Sequence, residues 1–71
     1  MRDPRNTPPY LRLQRRYRDL PSAIVAIDQT IYELTHLQHA GEQHTRRYNT
    51  VNRRRARLAL LIADYQQLPI L

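Results

Sequence analysis

Twelve arginines and no lysine among 71 residues carry the clearest chemical signal in this chain. Most fall into two groups: Arg12, Arg15, Arg16 and Arg18, then Arg46, Arg47, Arg53, Arg54, Arg55 and Arg57. A guanidinium is a planar fork whose paired donors match phosphate and carboxylate oxygens, a geometry an ammonium lacks. Tyr10, Tyr17 and Tyr48 lie among these arginines, and basic groups interleaved with aromatics suit backbone phosphates and stacked bases. The bland alternative is a solvated face that keeps a small protein soluble. Two separate blocks in one short chain weigh toward binding.

Other chemistries lack their parts. His36-x-x-His39 sets two imidazoles one helical turn apart, and Glu33-x-x-His36 has the local spacing of a di-iron carboxylate motif. That motif needs further Glu and His on a facing helix, where this chain offers Arg. The histidines therefore read as solvated helix-end groups helped by the helix dipole, and no metal or other cofactor is expected. There is no Cys, Ser22 is the one serine, and Gly41 is the one glycine. Neither a thiol nucleophile nor a glycine-rich phosphate loop can be built. The six acids are dispersed. No catalytic residue is assigned, and a non-enzymatic protein is expected.

The charges come in blocks whose total is +6, with a pI near 10.8. Residues 1–18 hold six Arg against Asp3; residues 19–45 hold four acids and no Arg. Residues 46–57 hold six Arg and no acid, and residues 58–71 add only Asp64. The absence of Cys fits a reducing compartment. The opening MRDPRNTPPY has no apolar h-region, and no run approaches the roughly 20 apolar residues of a membrane span. A cytoplasmic chain with no membrane partner is expected.

The elements that would position the arginines are all helical. Pro4, Pro8 and Pro9 punctuate a polar start that reads as a mobile arm. Thr7 can cap a short helix over 8–19, on which Tyr10, Leu13, Tyr17 and Leu20 share one side. After Pro21, Ile24, Ile27, Ile31 and Leu34 form an apolar seam, widened by Ala23, Thr30 and Leu37, predicting a helix over 22–40, with Gly41 as its left-handed cap. A turn at 41–44 and a Thr45 cap lead to a second long helix over 45–68, ended by Pro69. Its Tyr48, Val51, Leu58, Ile62 and Tyr65 fall on one face, with Arg46, Arg53 and Arg57 opposite.

The fold class expected is therefore all-α: an antiparallel helical hairpin over 20–71 behind a basic, partly helical arm over 1–19. Its core should hold Ile24, Ile27, Ile31, Leu34, Val51, Leu58, Ile62 and Tyr65, so that Ile31→Ala lowers the melting temperature. Arg55 lies inside the apolar arc and should either snorkel out or pair with Asp28 or Glu33. Val25 and Tyr32 form a second stripe that the 8–19 helix could cover. Leu60 points away from the core and, with Leu68, Ile70 and Leu71, is left for a partner or a second copy. The hairpin should stay folded when residues 1–18 are deleted.

A short, Arg-rich, Cys-free chain with the Pro-punctuated basic arm MRDPRNTPPYLRLQRRYR before a helical hairpin resembles the very small phage-encoded regulators of host RNA polymerase. The resemblance implies a transcription regulator that binds the polymerase, as an inhibitor of initiation or in antitermination, in the host cytoplasm. Partner contacts are expected at Tyr10, Arg12, Arg15, Arg16 and Tyr17, residue types common at interface hot spots, and at the apolar Leu60. The alternative is direct DNA or RNA binding through Arg46, Arg47, Arg53, Arg54 and Arg57. The hairpin also resembles, at fold level, the RNA-binding dimer of plasmid copy control, so nucleic acid and a homodimer stand beside an acidic protein surface as partners.

Overall fold

Three α-helices follow one 3-10 turn in a computed structural model that describes residues 4–67. The turn spans Pro4–Asn6, and the helices are α1 (Pro8–Arg16), α2 (Leu20–His39) and α3 (Arg46–Gln66). The chain is all-α, with α2 and α3 forming an antiparallel hairpin.

Local chemistry sets each boundary. Pro8 and Pro9 open α1, where proline has no intrahelical donor to lose. Asp19, extended, caps α2 by accepting the Ser22 N–H at 2.8 Å. That helix starts at Leu20, two residues before the expected Ser22, because Pro21 falls among the first-turn positions whose N–H groups go unused. At its other end Gly41 adopts φ 74°. The Gly41 N–H bonds the Gln38 carbonyl at 3.0 Å and the Glu42 N–H bonds that of Leu37 at 2.8 Å, a Schellman closure. Thr45 caps α3 by accepting the Tyr48 N–H at 3.2 Å. The α1 helix stops at Arg16, short of the expected 19, with the Tyr17 N–H bonded to the Leu13 carbonyl at 2.8 Å. The expected stop at Pro69 and the apolar Leu68, Ile70 and Leu71 lie outside the described residues.

The register of the hairpin is marked by two contacts: Arg47 Nε donates to Glu33 Oε2 at 2.7 Å, and Gln38 Nε2 to the Tyr48 hydroxyl at 3.2 Å. Between the helices α2 buries Ala23, Ala26, Thr30 and Leu34, and α3 buries Val51, Leu58 and Leu61. Leu34, Val51 and Leu58 are core residues as expected; Ile27, Ile62 and Tyr65 are half-buried. Ile24 and Ile31 of the expected seam fall outside the contact, whereas Leu34 is in it and Ile27 packs at its edge. Ile24 remains 39% exposed and Ile31 45%. The buried stripe sits roughly 100° round α2 from Ile31, as consecutive residues 30 and 31 must. Small side chains on that stripe suit close helix approach, since interaxial distance follows side-chain size at the contact. Thr30 is admitted because its hydroxyl donates to the Ala26 carbonyl at 2.8 Å.

Against this hairpin α1 packs mainly on α3. Tyr10, 2% exposed, and Leu13 join Ala23, Ala26, Leu58 and Leu61 in one core, with Leu60 packed against it. Leu60, expected to point away from the core, is half-buried against it. Val25 and Tyr32, which α1 was expected to cover, stay 56% and 76% exposed because α1 lies on α3 instead. Residues 4–6, expected to belong to a mobile arm, form the 3-10 turn. The 3-10 turn carries Arg5, whose Nε reaches both carboxylate oxygens of Asp64 at 2.9 Å. Arg55, expected to snorkel out or pair with Asp28 or Glu33, donates to Asn52 Oδ1 at 3.0 Å, and Glu33 pairs with Arg47. No helix among the described residues is long and apolar enough to cross a membrane.

Candidate functional site

Where α1 crosses α3, four guanidiniums from both arginine groups line one groove. Pro9, Arg12, Leu13 and Arg16 follow the i, i+3, i+4, i+7 spacing of one α1 face, and Thr50, Arg54 and Arg57 the four-three spacing of one α3 face. The cavity is about 360 Å³, and among the described residues no carboxylate lines it. Leu13, in the core, forms its floor. Arg46 and Arg53 belong to the same α3 stripe as Thr50 and Arg57 by spacing, and both are exposed.

Tyr17 holds two of these cations. Its hydroxyl accepts a hydrogen bond from Arg54 Nη2 at 2.7 Å, and the Arg54 guanidinium carbon lies 5.8 Å from the ring centre. Arg16 lies 5.6 Å from the same ring. Both distances are within reach of a cation–π attraction. The Tyr17 carbonyl in turn accepts from the Tyr65 hydroxyl. Arg54 is therefore placed by the fold before any ligand arrives, while Arg12 and Arg57 have no ion-pair partner among the described residues. Crowding cations in one cleft with apolar walls concentrates a positive potential that an anion would relieve.

A second cavity of about 370 Å³ adjoins the groove, sharing Thr50 and Arg54 with it. Glu33 and Arg47 line it as an ion pair, so Arg47 arrives there already neutralised. On the outer side of α1, Pro8, Leu11, Arg12 and Arg15 border a shallower hollow. Leu11 is 36% exposed there, giving a mixed apolar and basic patch.

The two sets of site residues predicted from sequence are not kept apart. Arg12 and Arg16 of one meet Arg54 and Arg57 of the other. Tyr10, expected at an exposed contact, is a core residue whose hydroxyl donates to Asp64. Burial, and then that hydrogen bond, push its pKa up to about 12. The same bond, with the Arg5 guanidinium, holds the Asp64 carboxyl below the usual carboxylate range. Asp64, Arg5 and Thr50 were not singled out from sequence. Asp64 had a signal: it stands on the stripe of Arg57 and Leu60, the stripe that α1 covers. Among the described residues no three His, Cys, Asp or Glu side chains gather as a metal site would require. Comparison of the chain with family models, with curated proteins and with solved structures finds no match.

Proposed function

We propose that the chain is a non-enzymatic binding module of the cytoplasm whose α1–α3 groove receives the phosphates of a nucleic-acid backbone. One observation carries the reading: Arg12, Arg16, Arg54 and Arg57 come from two helices to one groove, with no acid among the described residues of its lining. Surface solubility does not require convergence, whereas phosphate recognition does. The aromatic ring within reach, Tyr17, already stacks with Arg16 and Arg54. Bases thus find no free platform in the groove, so the contact is to backbone and favours a duplex over an unpaired strand.

A second reading is favoured by the patch at Leu11. There Pro8, Leu11, Arg12 and Arg15 combine apolar and cationic surface beside the groove. Such a surface fits an acidic protein, and the sequence resemblance names host RNA polymerase. In that case the module regulates transcription by docking on the enzyme, with Arg12 and Arg15 steering the encounter and Leu11 slowing release.

Fluorescence anisotropy with a labelled duplex, a single strand of equal length and purified polymerase separates the two. The first reading expects Arg57→Gln to weaken duplex binding several-fold while Leu11→Ser leaves it unchanged. Loss of binding to polymerase alone on Leu11→Ser, with no measurable duplex affinity, selects the second.

A further inference from the structure

The hairpin leaves an apolar face uncovered, and that face also carries charge of both signs. Ile24 and Ile31 are 39% and 45% exposed on α2, and Val25 and Tyr32 continue the surface outward at 56% and 76%. Among four such side chains on one helix, exposure is not scattered: they recur at 24, 25, 31 and 32, one heptad apart. Asp28 lies midway between them on the same face. Arg55 lies on the flank of α3 away from α1, since Arg54 and Arg57 face the groove. Neither Asp28 nor Arg55 has an ion-pair partner among the described residues.

These features complement each other across two copies of the chain. The contacts Glu33–Arg47 and Gln38–Tyr48 fix the register of α2 against α3. In that register Asp28 and Arg55 stand at the same height along the hairpin. A two-fold axis parallel to the helices preserves height and lays α2 of one copy antiparallel beside α3 of the other. Asp28 then meets Arg55 of the second copy, and the symmetry makes the pair twice. We propose that the chain forms an isologous dimer through this face, a four-helix bundle in which Ile24 and Ile31 fill the seam between hairpins. The self-complementary charge argues for a second copy over an unrelated partner, whose surface would have to supply both signs at this spacing. Both arginine grooves remain on the outside, because α1 covers the other side of α3 in each copy.

Sedimentation equilibrium of the full chain at several concentrations tests this, with circular dichroism in parallel. A monomer–dimer equilibrium is expected. Ile31→Asp should shift it to monomer without loss of helix, because Ile31 is outside the core of the single chain. Asp28→Arg should raise the dimer dissociation constant about tenfold or more, by replacing two attractions with two repulsions. Adding Arg55→Asp to Asp28→Arg should restore it to within about threefold, as charge exchange preserves the pair. A wild-type chain that stays monomeric throughout overturns the proposal and leaves the face to another protein. A dimer that ignores Asp28→Arg, or that Arg55→Asp fails to restore, overturns this interface.

Discussion

Asp64 gathers three groups that sequence order keeps far apart. Its carboxylate accepts from Arg5 at 2.9 Å and from the Tyr10 hydroxyl, tying the 3-10 turn and α1 to the last turns of α3. Because its folded pKa is lowered, its contribution is present above the unfolded carboxylate value and is lost as pH falls through the folded one. The Asp19 cap, lowered by its bonds from Ser22, acts with the same sign. Thermal unfolding followed from neutral to acidic pH should therefore show a falling melting temperature. Asp64→Asn should flatten part of that slope, and an unchanged slope would discount the cluster. Tyr10 works in the opposite direction. Its pKa is raised to about 12, so its contribution is whole below the ordinary tyrosine value near 10 and vanishes as pH rises through the folded value. Tyr10→Phe removes one hydrogen bond while keeping the ring, a loss of about 1 kcal/mol.

At the scale of elements, α1 belongs to the core and is not an appendage. It places Tyr10 and Leu13 over Leu58 and Leu61, both fully buried. Deleting residues 1–18 should therefore destabilise the hairpin, contrary to the expectation drawn from its polar sequence; retention of the full melting temperature would contradict this packing. Leu58→Ala should cost about 2–5 kcal/mol, and Ile31→Ala far less, since only the first opens a cavity in the single chain. Helix boundaries were legible to within three residues because caps are local: Asp19, Gly41 and Thr45 act on their own neighbours. The buried face of α2 was legible only in part: Leu34 and the flanking Ala23 and Thr30 belong to it, whereas Ile24 and Ile31 do not. Periodicity reports which residues are apolar, and Ile24 and Ile31 outrank Ala23 and Ala26 on that measure. Which stripe is buried depends on how closely two backbones approach, which only the partner helix decides. The charge pattern showed a similar limit. Each arginine group was visible, yet their convergence depends on where α1 crosses α3, a tertiary fact with no sequence period.

Across the whole molecule, the arginine groove and the exposed face of α2 lie on different surfaces. The four-arginine groove lies where α1 meets α3, and Ile24, Val25, Ile31 and Tyr32 are exposed elsewhere on α2. A small basic module of this form can hold a polyanion on one side while the hairpin presents another surface to its own kind. The formal charge of +6 alone would draw the chain to any polyanion, so affinity by itself says little about the groove. The salt dependence of duplex binding, compared between the intact chain and the Arg12→Gln/Arg57→Gln double variant, tests the groove directly. Each lost phosphate contact should reduce the log–log slope by about 0.9 on duplex DNA. The account predicts a slope shallower by about 1.8 for the double variant, from two contacts at that value, with helix content unchanged. Arg18→Gln, outside the groove, should leave the slope as it was. Equal slopes for the intact chain and the double variant would contradict the account.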